Sequence, residues 1–195
     1  MKLSFITDEV TQDFDAVLTF AKHYGFDGVE LRSVEDVPID RIPLDTAHTY
    51  QKAFAENGLV VSNLASSFYK CSVDDEAAVT ENLEKLRRLC DLADVFGCST
   101  IRGFTFFKDP GSSLSERMGD ILQRFEEPVK LLEKRGKTLL LESDPSVYTT
   151  NHRLLTEFLN ALDSPQVGAI FDPGNDIYDE LGETPYPDGY QCVKG

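Results

Sequence analysis

The sequence predicts an α/β fold in which strand and helix alternate, with about six βα units in strict succession. Three observations carry this. Short apolar runs recur between longer stretches whose apolar residues fall at helical spacing. A glycine closes most of the helical stretches, and a new strand begins soon after it. Two runs, Lys137 to Asp144 (KTLLLESD) and Val167 to Asn175 (VGAIFDPGN), are apolar until they end abruptly in a carboxylate. Strands of a parallel sheet covered on both faces read this way.

Leu3 to Thr7 is the first strand. Phe14, Val17, Leu18 and Ala21 then mark a helix, with Thr11 as its cap and Gly25 as its stop. Gly28 to Ser33 (GVELRS) is the second strand, and Thr46 to Asn57 its helix, ended by Gly58. Leu59 to Ser66 is the third strand. A long helix from Asp75 to Phe96 follows, with Val79, Leu83, Leu86, Cys90 and Ala93 on its inner stripe. Ser99 to Phe104 is the fourth strand. The stripe of the next helix, Ser113 to Arg135, contains Pro128, which is expected to kink it or split it in two. Gly136 ends that helix and the fifth strand starts at once. Thr150 to Leu162 is helical, capped by Thr150 or Asn151, and the sixth strand comes next. The last residues carry Gly182, Pro185, Pro187 and Gly189 and are the least regular part of the chain.

Such a succession makes a parallel sheet with helical crossovers, either open and doubly wound or of the (β/α)8-barrel type. No GxGxxG or GxxxxGK[ST] follows any strand, so the common nucleotide-binding forms lose support. The barrel gains from polar residues at successive strand exits: Asp8, Glu30 with Arg32, Ser66, Arg102, Glu142 and Asp172. Barrel enzymes assemble their chemistry at that end of the strands. A complete barrel takes ~250 residues, and this sequence has 195. The expectation is one domain over residues 1–195, an incomplete barrel lacking its last two strands. An open sheet would leave two unpaired edges, to be shielded by homo-oligomer contacts or by the last residues folding over them.

With 41% hydrophobic and 27% charged residues the composition is that of a soluble globular chain. Thirty-four acidic residues against 19 basic ones give a net charge of −15. That argues against a nucleic-acid partner or an anionic membrane surface, because both need clustered Lys and Arg. The four cysteines show neither CxxC nor Cys/His metal spacing, and Cys90 falls on a helix stripe. No apolar run is long enough for a signal core or a membrane span. A reducing, cytoplasmic setting is the expectation.

In the fifth strand Leu140 and Glu142 share one face, as do Ile170 and Asp172 in the sixth. If the two strands are neighbours, ~4.8 Å apart, their carboxylates converge. Two bare carboxylates that close repel, so one holds a proton or a cation sits between them.

GVEL in the second strand, LLLES in the fifth and FDPGN in the sixth resemble the xylose-isomerase-like TIM barrel superfamily of sugar isomerases and epimerases. The resemblance covers the whole chain through the order and spacing of its units. It implies a metal-dependent sugar, sugar-phosphate or polyol isomerase or epimerase working through an enediolate. It further implies a divalent cation (Mn²⁺, Mg²⁺, Zn²⁺ or Co²⁺) held by a Glu of strand five and an Asp of strand six, with a His and a Glu from strands seven and eight. Glu142 and Asp172 match the first two; the other two have no counterpart before Gly195. Glu142 would also serve as the catalytic base. Where the epimerase branch often has a substrate-contacting His, three residues after the strand-six Asp, this chain has Asn175. The second Glu common in that branch is absent from Pro145 to Tyr148.

Other readings stand beside these. Glu142 and Asp172 could instead be satisfied by loop amides or helix N-termini. Glu30 and Arg32 either pair with each other or leave Arg32 to grip a substrate oxyanion. Arg102 contacts substrate or pairs with a neighbouring acid. Phe68, Tyr69, Phe104, Phe106 and Phe107 line the core or wall the substrate. His23, His48 and His152 stand at no strand exit and read as surface or capping residues. This disfavours the abasic-site endonucleases of the same superfamily, which need several His ligands. The reading from another class is a catalytically incompetent remnant of such a barrel.

Overall fold

The structure, a computed structural model, describes residues 1–179 and 184–194. Six strands form its main sheet: β1 Ser4–Ile6, β2 Gly28–Leu31, β3 Val60–Phe68, β4 Thr100–Gly103, β5 Thr138–Glu142 and β6 Val167–Ile170. They lie side by side in sequence order. β1 with β2, β2 with β3, and β5 with β6 pair in parallel. The intervening helices are α1 Phe14–Tyr24, α2 Leu44–Glu56, α3 Glu76–Phe96, α4 Leu114–Arg135 and α5 His152–Leu162. Two short helices, α6 Pro173–Asp176 and α7 Tyr190–Val193, follow β6. The fold is α/β with a six-stranded parallel sheet. No helix among the described residues is long and apolar enough to cross a membrane.

The chain divides into two compact units, Met1–Ser66 with Arg87–Ile101, and Ser67–Leu86 with Arg102–Gly195. In the first, Val17, Ala21, Val29, Leu31 and Leu64 are fully buried. Phe14 stacks on Tyr50 at 4.1 Å between ring centres. In the second, Leu139 and Leu141 turn inward, while the rings of Tyr69, Phe106, Phe125 and Phe158 contact one another in sequence. Cys90 is buried, and all four cysteines are free thiols.

Several boundaries differ from expectation for local reasons. α1 is capped by Asp13, whose carboxylate takes the Ala16 N–H at 2.8 Å; Thr11 accepts the Asp13 N–H instead. β2 ends at Leu31, and Ser33–Val34 turns back on Val37–Pro38 as a small antiparallel hairpin. α5 is capped by Asn151, one of the two expected candidates. Among the closing residues, Gly182 lies outside the described ones, while Pro185–Gly189 is kinked at Tyr186, whose backbone is extended (φ −138°, ψ 132°).

In α4 the split, one of the two expected effects of Pro128, does not occur. The helix runs unsplit from Leu114 to Arg135 with Pro128 inside, started by a capping box in which Ser113 and Glu116 exchange hydrogen bonds. Proline has no N–H, so the Arg124 carbonyl four residues earlier loses its helical donor. The Tyr69 hydroxyl donates to that carbonyl at 2.7 Å. An outside donor therefore satisfies the group that proline orphans.

Gly28 lets β2 approach β3 closely: a Cβ there would stand 2.5 Å from the Val60 carbonyl oxygen. Backbone cannot swing aside as a side-chain tip can. Gly28→Ala is expected to cost about 1–3 kcal/mol, and thermal denaturation should show a melting temperature lowered by about 2–12 °C.

Candidate functional site

β5 and β6 are direct neighbours, with Glu142 opposite Ile170. Glu142 is the last residue of β5, and Asp172 lies two residues past the end of β6 as the N-cap of α6. Asp172 Oδ1 accepts the backbone N–H groups of Gly174 (2.8 Å) and Asn175 (3.2 Å). That turn aims the Asn175 amide back at the strand ends. Asn175 Nδ2 donates to Asp172 Oδ2 at 3.0 Å, to Glu142 Oε1 at 3.1 Å and to the Ser143 carbonyl at 2.9 Å. One amide thus bridges the two carboxylates.

The other oxygen of Glu142 accepts from Arg102 Nη1 at 2.9 Å, and both side chains are nearly buried, at 13% and 10% exposure. Burial is the main influence on Glu142 and raises its carboxyl above the ordinary range; Arg102 pulls it down and the Asp172 charge pushes it up again. Glu142 therefore holds a proton more readily than a solvated glutamate.

Asp144, two residues on, behaves in the opposite way. Burial would raise it, but Lys70 and the Ser146 donors outweigh burial and hold it below the usual carboxylate range. Lys70 Nζ lies 2.6 Å from Asp144 Oδ2 and 4.2 Å from the centre of the Phe104 ring. Arg102 lies over the same ring at 5.3 Å. Lys70 is placed by an unusual turn, since Tyr69 beside it has φ +63°. Phe106, φ +68°, does the same after β4. Bulky residues in the left-handed region cost on the order of 1–3 kcal/mol each.

Of the residues singled out in the sequence, the second unit brings together Arg102, Glu142, Asp172 and Asn175. Arg102 pairs with a neighbouring acid, one of its two expected roles. Glu30 and Arg32 belong to the first unit, where the expected mutual pair gives way to others. Arg32 Nε lies 3.0 and 2.9 Å from the two carboxylate oxygens of Asp8, and its Nη1 reaches Glu9 at 3.2 Å. Glu30 accepts the Asn63 amide at 3.1 Å instead. The exit turn after β1 carries two acids within reach of Arg32, which alternation along one strand could not reveal. Phe68, Tyr69, Phe104 and Phe106 are buried, whereas Phe107 is exposed.

His152 overturns its surface reading. It is fully buried, its Nδ1 bonded to the Asp176 carboxylate and its Nε2 accepting the Asp172 backbone N–H at 3.2 Å. Sequence reasoning missed Lys70, Asp144 and His152. A lysine just past a strand exit was a usable signal for Lys70. Nothing local marks His152, whose burial depends on α6 returning against the start of α5.

A divalent cation bound through oxygen takes about six donors or more, and a structural zinc about four. Glu142 and Asp172 offer two carboxylates, with Arg102 and Asn175 already on their oxygens. Among the described residues no cluster of three or more His, Cys, Asp or Glu could hold a metal. These residues do not by themselves fit a cation site.

Residues 18–188 match the family model described as xylose isomerase-like TIM barrel. The chain belongs to that family. Solved structures with this fold include the 3-keto-D-glucoside 4-epimerase YcjR from E. coli, at 15% identity and TM-score 0.76, over 99% of this chain and 76% of that one. Another is the IolI protein with a bound zinc atom, at 18% identity and TM-score 0.74, over 90% and 64%. A third is the probable 3-DHS dehydratase AsbF of petrobactin synthesis from Bacillus anthracis, at 20% identity and TM-score 0.72, over 87% and 62%. At such identities the likeness bears on fold alone. This xylose isomerase-like chain spans between 62% and 76% of the length of those three. No curated sequence matches it.

Replacing Arg102 by Met should leave Glu142 buried without its cation, at a cost on the order of 3 kcal/mol. A carboxyl raised in the folded state gives stability that is lost as pH rises from its unfolded value through its folded one. In Arg102→Met that loss should be larger and extend to higher pH, as urea titrations between about pH 4 and about pH 8 would show.

Proposed function

We propose that this chain acts in proton transfer on a small sugar or polyol-derived ketone, as an isomerase or epimerase, with Glu142 as the acid–base group. The observation that carries the reading is the Glu142 carboxyl at the β5 exit, nearly buried, raised in proton affinity and fixed by Arg102 and Asn175. A base works best when its pKa lies near the operating pH, and burial moves a glutamate in that direction. As carboxylate, Glu142 takes the proton from the carbon beside a carbonyl. As carboxylic acid it returns that proton either to the opposite face of the same carbon, which inverts it, or to the former carbonyl carbon, while the neighbouring hydroxyl proton passes to the enolate oxygen and a new carbonyl forms. Asp172, through the α6 turn and Asn175, positions the Glu142 carboxylate. Arg102 lowers the cost of its charge in a dry setting. Membership of the family supports the substrate class.

The other reading, a scaffold without turnover, is favoured by the two-carboxylate donor set, which falls short of a cation site. One experiment decides between them. Incubated with D-fructose in heavy water, the wild type should exchange the hydrogen next to the carbonyl, and Glu142→Gln should slow this about 10²–10⁴-fold. No exchange by the wild type, or equal exchange by Glu142→Gln, defeats the proposal.

A further inference from the structure

We propose that Lys70 is the oxyanion-contacting residue of this site, its ammonium meeting the oxygen on which charge collects as the proton leaves. This rests on the proton-transfer reading of Glu142 and deepens it. In the step, Glu142 forms an O–H bond as the C–H bond breaks. The freed pair becomes a C=C bond, and the carbonyl π pair moves onto oxygen, where a Lys70 N–H receives it. Reprotonation by Glu142 reverses every one of these changes, so nothing is oxidised or reduced.

Four observations place Lys70 for that task. Its ammonium carries three N–H donors; one serves Asp144 and the Phe104 ring takes the cation's face, which leaves donor capacity for a ligand. Its side chain is 29% exposed, against 10% for Arg102 and 13% for Glu142, so a ligand reaches it more readily than either. It sits beside the pair that holds Glu142: Lys70 and Arg102 lie over the same Phe104 ring, at 4.2 and 5.3 Å, and Arg102 bonds Glu142 at 2.9 Å. Its position is preset: the left-handed Tyr69 turns the chain, the Lys70 N–H donates to the Ser67 carbonyl at 3.0 Å, and Ser146 pins Asp144 at 2.8 Å. A donor held ready where charge develops works without reorganisation. An ion pair kept only for stability gains little at a partly exposed position and has no need of such a turn.

The ligand class is a small α-hydroxy ketone, and glycolohydroxamate, a compact mimic of the enediolate, is the probe. In chelator-containing buffer the wild type should bind it by calorimetry, and Lys70→Met should weaken binding at least ~10-fold while Lys70→Arg keeps most of it. In the D-fructose exchange assay Lys70→Met should lower kcat about 10²–10³-fold with KM nearly unchanged, because the contact forms only as charge develops. Glycolohydroxamate should also slow acetylation of Lys70 in the wild type relative to the exposed Lys52, a measurement that needs no variant. Wild-type binding or kcat in Lys70→Met, a change confined to KM, or unprotected Lys70 would overturn the proposal. If Glu142→Gln abolishes exchange while Lys70→Met does not alter it, only the role of Lys70 fails. If Glu142→Gln leaves exchange intact, the proton-transfer reading fails.

Discussion

The polar cluster of the second unit depends on the parallel register of β5 and β6. With Glu142 opposite Ile170, β5 ends two residues before Asp172, and that offset is the space the α6 turn occupies. Asp172 starts the turn by accepting two amides, and the turn carries Asn175 back over both strand ends. A slip of one residue would send Glu142 to the opposite face of the sheet. It would lose Arg102 and Asn175 together, leaving a carboxylate among the leucines that now pack behind it. The buried Leu139 and Leu141 make such a slip costly, so the apolar face of β5 enforces the geometry of its polar end.

A second line of dependence begins in a helix. Pro128 orphans the Arg124 carbonyl, Tyr69 supplies the missing donor, and Tyr69 adopts a left-handed backbone while it does so. Its own N–H goes to Asn82 at 2.9 Å, so both ends of the residue are tied. Phe106 has the same backbone sign and stacks on Tyr69 at 4.1 Å between centres. Around them the strand exits are laced together: Phe104 N–H to the Phe68 carbonyl, Phe107 N–H to Cys71, Tyr148 N–H to Phe106. These bonds offset the strain of two bulky residues at positive φ. They also leave Lys70 little freedom in where its side chain starts.

The features legible in the sequence were those set by short-range periodicity. Alternation in KTLLLESD and VGAIFDPGN shows both strands and their terminal carboxylates, since a covered parallel strand tolerates a charge only at its end. Helical spacing locates all five long helices to within a few residues, with a closing glycine after each except α5, whose C-cap is Asp163. What escaped depends on groups distant in sequence. Arg32 finds Asp8 across two elements rather than Glu30 two residues away. Asp144 could not be oriented by alternation because β5 stops at Glu142, two residues short of it. Pro128 reads as a kink or a break, and it is Tyr69, far back in the chain, that supplies the donor the unsplit helix lacks. His152 reads as a cap until its imidazole is found between Asp172 and Asp176.

Two acids two residues apart, Glu142 and Asp144, meet opposite fates within one cluster that also holds two cations. Glu142 has Arg102 beside it but more burial and the Asp172 charge, and its proton affinity rises. Asp144 has Lys70 and the Ser146 donors against lesser burial, and its affinity falls. Environments that split neighbouring carboxyls in this way divide labour between them. A group that stays charged can hold a cation in place; a group that gains and loses a proton easily can move one. In the proposed proton transfer, exchanging the roles would put the mobile proton on the acid already committed to Lys70, and each protonation would release the ammonium. Under that proposal the ammonium stays held while Glu142 gains and loses its proton, because Asp144 and not Glu142 holds it.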